Sequence, residues 1–225
     1  DLGGLSEVGS FEVPEDPTAI VAVGDYAYLF DWGLKVVDIS TPASPLLVGE
    51  FEVPPPISSI GYVHVRGNYA YLANSTADLW VVDVSDPTNP DGVGSCEAHG
   101  RDIDLRGNYA YLPNDDLNIV DVANPKAPAP VGTFAIPGFA QRIDIVGDHA
   151  YVLADGDLRV LDLTNPTTPQ QVGFRDLPDL LFGLYDTMVL FDHVSKTIKV
   201  VGLAHIDRDG VEGAYVDACR RISET

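Results

Sequence analysis

A repeat of about 40 residues constrains this fold more than any other feature of the chain. Val23-Gly24-Asp25-Tyr26-Ala27-Tyr28-Leu29 returns as Arg66-Gly67-Asn68-Tyr69-Ala70-Tyr71-Leu72, as Arg106-Gly107-Asn108-Tyr109-Ala110-Tyr111-Leu112 and as Val146-Gly147-Asp148-His149-Ala150-Tyr151-Val152. The glycines fall 43, 40 and 40 residues apart. Each copy is followed by an apolar pair and an aspartate: Val36-Val37-Asp38, Val81-Val82-Asp83, Ile119-Val120-Asp121 and Val160-Leu161-Asp162. Two prolines come next, at Pro42/Pro45, Pro87/Pro90, Pro125/Pro128 and Pro166/Pro169. A Val-Gly pair closes each unit, at Val48-Gly49, Val93-Gly94, Val131-Gly132 and Val172-Gly173.

One such unit reads as four short strands. The segment before the hairpin glycine, as in Ala19-Ile20-Val21-Ala22-Val23, is the first. The Tyr-Ala-Tyr, Val-Val-Asp and Val-Gly segments are the second, third and fourth. Gly-Asp and Gly-Asn supply the positive φ of a tight hairpin between the first two. The prolines fix φ and remove donors, so they belong in the connection from third to fourth strand. With 17 prolines and 21 glycines spread along the chain, long helices are excluded. A four-stranded meander repeated side by side is the pattern of a β-propeller blade.

The combination of Gly-Asn/Asp-Tyr-Ala-Tyr, Val-Val-Asp-Val and Asp-Pro-x-Asn-Pro, as in Leu79-Trp80-Val81-Val82-Asp83-Val84-Ser85-Asp86-Pro87-Thr88-Asn89-Pro90, resembles the LVIVD repeat family. That resemblance covers roughly residues 8 to 174. It implies a propeller-like fold in a mostly bacterial and archaeal set of surface or secreted proteins, and little about chemistry.

The expected architecture is an all-β propeller of four-stranded antiparallel blades, about five of them, or six if the chain is a slice of a longer ring. The repeats are placed at approximately 14–51, 52–96, 97–135, 136–175 and, in divergent form, 176–216, within one domain over 1–225. Residues 1–13 contain Val8-Gly9-Ser10-Phe11, a fourth-strand segment without a preceding three. This spare outer strand can close the ring or pair with another copy, giving a homo-oligomer.

Lys and Arg number 13 against 34 Asp and Glu, a net charge of −21. Such a chain is repelled by nucleic acid and by anionic membrane surfaces, and no apolar run is long enough to span a bilayer. Its acidity and few lysines suit an extracellular or cell-surface setting, with protein or glycan as partner. Cys96 and Cys219 permit one disulfide, and Asn74-Ser75-Thr76 fits the N-glycosylation pattern at Asn74.

Candidate binding residues come from two places. The second-to-third-strand loops carry Asp31, Trp32, Asn74, Asp78, Asp115, Asp116, Asp155 and Asp157. Their oxygens can serve Ca²⁺, with Asp115, Asp116, Asp155 and Asp157 as the metal candidates, and Trp32 can stack on a glycan. Asp, Asn and Gly are also ordinary turn residues, and no loop has EF-hand spacing. The inner strands carry a second set: His99, Arg101, Asp102 and Arg142, beside Tyr62, His64, Asp104 and Gln141. These side chains can form an anion-binding or acid/base group, or a purely structural network between blades. No nucleophile elbow, Walker loop or zinc motif is present, so the leading expectation is a non-catalytic binding or assembly module. A calcium-assisted propeller hydrolase or lactonase and a strand-exchanged structural subunit are the alternatives.

Overall fold

The computed structural model describes residues 8–13, 17–30, 32–55, 61–176, 187–192 and 197–202, with side chains described through residue 173. Where the sequence reads as one domain, the contacts fall into two units, residues 1–177 and 178–225.

The first unit holds four antiparallel sheets of four strands each, arranged as meanders in chain order. The first blade consists of β1 (Ala19–Val23), β2 (Tyr26–Phe30), β3 (Gly33–Asp38) and β4 (Leu46–Glu52). The second consists of β5 (Gly61–Arg66), β6 (Tyr69–Asn74), β7 (Leu79–Asp83) and β8 (Asp91–Cys96). The third has β9 (Asp104–Arg106), β10 (Tyr109–Pro113), β11 (Leu117–Asp121) and β12 (Ala129–Phe134). The fourth has β13 (Ala140–Val146), β14 (His149–Ala154), β15 (Asp157–Asp162) and β16 (Gln170–Asp176). In the second unit the described residues form one hairpin, β17 (Thr187–Asp192) with β18 (Thr197–Gly202), at the expected second and third strands of the divergent repeat. The fourth strand expected near residues 211–215 lies outside the described residues.

The repeated residues do what their chemistry dictates. Gly24, Gly67, Gly107 and Gly147 turn each first hairpin at φ of 56 to 61°, a region closed to most side chains. The aspartate ending each third strand accepts the backbone N–H two residues on: Ser40 at Asp38, Ser85 at Asp83, Ala123 at Asp121 and Thr164 at Asp162, at 2.7 to 2.9 Å. These bonds hold Asp38, Asp83 and Asp162 below the usual carboxylate range and lead the chain into the proline turn. The aspartates are therefore structural.

Each third-to-fourth ladder shifts register at one place, between Val36/Val37, Val81/Val82, Ile119/Val120 and Val160/Leu161. The extra residue is the valine of Val-Gly, since Val36 faces Gly49 while Val37 faces Leu47. This bulge swings the outer strand toward the next blade. There Gly49 lies against the Pro87 carbonyl, Gly94 against that of Pro125 and Gly132 against that of Thr167.

Period-two alternation gives each sheet two apolar faces, and successive blades share them. Tyr28, Phe30, Leu34 and Val36 pack on Ala70, Leu72, Val82 and Val84. Tyr71, Ala73, Leu79 and Val81 pack on Ala110, Leu112, Val120 and Val122. Tyr111, Leu117 and Ile119 pack on Ala150, Val152, Leu161 and Leu163. Polar clasps reinforce these seams. Arg66 reaches the Gly107 carbonyl, and Arg106 reaches the carbonyls of Gly147 at 2.9 Å and Leu163 at 2.7 Å as well as Asp148. Tyr111 donates its hydroxyl to the Pro166 carbonyl at 3.2 Å.

Residues 8–13 sit on the first blade as an outer strand of a preceding blade would. Gly9 abuts the Pro42 carbonyl, as Gly49 abuts that of Pro87. Phe11 and Val13 pack on Ala27, Leu29 and Val37. Among the described residues this segment has no ladder partner.

Candidate functional site

The first strands lie nearest one another in the unit, with β1 against β5 and β9 against β13. Their free edges carry unpaired backbone groups that something must satisfy. Between the third and fourth blades, two aspartates do so. Asp102 accepts the N–H of Ile103 through Oδ1 at 2.9 Å and that of Ile143 through Oδ2 at 3.0 Å. Asp104 accepts Leu105 N–H through Oδ1 and Ile145 N–H through Oδ2, both at 2.7 Å. These local bonds compete with the ladder, which is why β9 has only three residues and Asp102 falls before it.

Burial raises the Asp102 carboxyl above its ordinary value, and the two N–H donors and the Arg142 charge pull it back only in part. His64 lies beside this pair, its Nδ1 3.7 Å from Asp104 Oδ1. Desolvation holds the imidazole below its ordinary value of 6.5, with Asp104 opposing and Arg66 adding to the shift. The unfolded chain thus takes up this proton first as pH falls. The contribution to stability is complete above about pH 6.5 and is lost as pH drops through the lower folded value. Urea unfolding between pH 7 and 5 should show a downward slope that His64→Gln reduces. A nuclear magnetic resonance titration placing His64 above 6.5 would contradict this assignment.

Next to the aspartate bridge, Arg101 and Arg142 face a depression of about 340 Å³ lined by Tyr62, Arg101, Gln141, Arg142 and Leu153. Arg101 precedes the third blade's first strand, and its own N–H is anchored on the Pro113 carbonyl at 2.7 Å. Its guanidinium stacks over the Phe139 ring at 4.2 Å. Arg142, on β13, stacks over Tyr62 of β5 at 4.4 Å and donates Nη1 to the Gln141 carbonyl at 3.1 Å. Among the described residues neither arginine forms an ion pair. The nearby Asp102 already has both oxygens committed to backbone N–H groups. Aromatic faces thus hold two guanidinium groups in place, neither of them in direct contact with a carboxylate.

Of the residues singled out in the sequence, Arg101 and Arg142 meet in this depression, while Asp102 braces it. His99 is half-buried and acts through its backbone, its carbonyl accepting Asn118 Nδ2 at 2.9 Å. The loop candidates stay apart. Trp32 is 48% exposed at φ 49°, Asp115 and Asp116 are exposed, and Asp155 turns its loop at φ 47°. Asp157 pairs with the buried Arg159 at 3.6 Å, and Asp78 is half-buried near Cys96. Among the described residues no three His, Cys, Asp or Glu side chains gather as a metal-ligand group. Asp31 lies outside the described residues.

Asn74 is 2% exposed, and its Oδ1 accepts both the N–H and the hydroxyl of Thr76. A side chain enclosed in this way has no room for a glycan, which corrects the glycosylation expectation. Among the described residues Cys96 is a free thiol, pushed up to about 11 by burial and by Asp78, and Cys219 lies outside them. Phe139, the platform under Arg101, was not singled out by the sequence. It sits in the turn entering β13, where no repeat position marks it.

The four-stranded meanders, shared apolar faces and clustered first strands define a β-propeller. The LVIVD repeat model matches at residues 16–53, 60–98, 99–135 and 137–175. The chain therefore belongs to the LVIVD repeat family. No curated protein matches it. A functionally unknown protein from Desulfotomaculum acetoxidans is similar in fold, with a TM-score of 0.63 and 14% identity over 86% of this chain and 70% of that one. A protein from Lactobacillus plantarum gives 0.64 and 13% over 87% and 68%. The computationally designed Ika8 protein gives 0.58 and 14% over 84% and 58%. At such identities the likeness speaks to fold alone.

Proposed function

We infer that this chain is a non-catalytic binding module of the cell exterior, whose rigid blades hold a positively charged depression ready for an anionic group on a protein or glycan. One observation carries this reading. Arg101 and Arg142 face the same depression over aromatic rings and pair with no carboxylate among the described residues, in a chain where acids outnumber bases 34 to 13. In so acidic a protein an arginine has carboxylate partners in abundance, and two that make no direct ion pair leave hydrogen-bond donors and local charge for a ligand. The carboxylates next to it speak against acid/base chemistry, since Asp102 and Asp104 each spend both oxygens on backbone N–H groups. The net charge of −21 disfavours nucleic acid and suits an external setting.

Protein and glycan arrays probed with the wild-type chain and with Arg142→Ala test this function. Arg142 is exposed, so its truncation leaves the core intact. Binding signals present in the wild type should be lost in the variant. Signals that survive unchanged would rule the depression out as the site.

A further inference from the structure

Resting on that reading of the arginine depression, we propose that the group it takes is the carboxylate of a uronic acid residue in a glycan. Arg101 keeps a buried Nε–H for which the structure provides no acceptor. A buried donor left unmade is a standing cost, and such groups in folded proteins call for an explanation. The Nε–H and an adjacent Nη–H form the guanidinium edge that matches both oxygens of a carboxylate. Arg101 lines the depression, and a carboxylate bound there is the acceptor its guanidinium lacks among the described residues.

The rest of the lining suits a sugar. Arg142 contributes a second charge to the lining, and the exposed Gln141 carboxamide can both donate to and accept from ring hydroxyls. Tyr62 and Leu153 offer apolar surface to sugar C–H groups. At about 340 Å³ the depression lies at the small end of ligand sites. A peptide main chain has no ladder to join on this edge, because Asp102 and Asp104 already occupy the N–H groups of Ile143 and Ile145. Those same aspartates penalise a dianion such as phosphate more than a monoanionic carboxylate.

Isothermal titration calorimetry of the full chain compares four probes. These are a trisaccharide carrying one glucuronate, the same trisaccharide with glucose in its place, inorganic phosphate and a glutamate-rich peptide. The glucuronate probe should bind at least tenfold more tightly than the other three. Arg101→Lys keeps the charge but loses the fork, and should weaken that binding at least tenfold; Arg142→Lys should do likewise and serves alone if the Arg101 variant fails to fold. Equal affinity for the acidic and neutral sugars, no binding of the acidic sugar, or indifference to both substitutions overturns the proposal. If phosphate, the peptide or the neutral sugar binds instead and Arg142→Ala abolishes it, the uronate assignment fails while the depression stands as a binding site. If no probe binds and array signals ignore Arg142→Ala, both fail.

Discussion

Gly49→Ala is expected to destabilise the fold by about 3 kcal/mol, the upper end for overpacking, although it adds one methyl group. A Cβ at Gly49 falls inside the van der Waals shell of the Pro87 carbonyl oxygen and 2.8 Å from the Pro90 ring. Neither neighbour can yield, since one is backbone and the other a closed ring. The alanine must therefore push two blades apart along a seam that buries Tyr28, Phe30 and Leu72. Gly94, seated between the Pro125 carbonyl and the Pro128 ring, should respond in the same way. Gly67→Asn is the contrasting case. Gly67 has φ +60° but nothing within 4 Å of the place a Cβ would occupy, and asparagine tolerates the left-handed region, so the cost should stay near ~1 kcal/mol. Urea unfolding midpoints of the three variants decide the matter. A Gly49→Ala protein as stable as Gly67→Asn would mean that blade spacing is not set by these glycines.

Tyr111→Ala should cost about 3 to 5 kcal/mol, the range for truncating a large buried aromatic side chain. The ring is fully buried between the third and fourth blades among Leu117, Ile119, Val152 and Leu161. No single side chain can collapse into the cavity, because both walls are strands fixed by their ladders. Tyr111→Phe removes the hydroxyl, with its bond to the Pro166 carbonyl and its interaction with Arg106, and should cost about 1 to 2 kcal/mol. The ratio of the two losses, measured by the same unfolding experiment, separates packing from hydrogen bonding. An alanine variant within about 1 kcal/mol of the wild type would show that the blades fold without this seam.

The blade itself was legible in the sequence because every part of it is local. Gly24, Gly67, Gly107 and Gly147 announce hairpins through the one backbone region they can enter cheaply, and Asp38 or Asp83 bonds a backbone N–H two residues away. The proline pairs fall between third and fourth strands because a proline in a ladder interior lacks the N–H that the pairing needs. Repetition then turned four local patterns into one architecture, and the family match covers the same four units.

The site was legible only in part. Arg101, Asp102 and Arg142 stood out as polar residues on inner strands, but the two arginines are 41 positions apart and meet only when the third and fourth blades pack. Phe139 became a platform through that same packing, and Tyr62 through the approach of the second blade's first strand to Arg142. The loop aspartates drew attention in the sequence because oxygen-rich turns and cation sites use the same residues, and only their positions in space tell the two apart. Asn74 carried a glycosylation pattern that burial overrules. The sequence by itself therefore determined the strands, the turns and the number of matching repeats, since propensity and hydrogen bonding within a few residues decide them. Tertiary structure alone decided which charges were neutralised, because a salt bridge or an orphaned donor depends on what the neighbouring blade brings within about 4 Å.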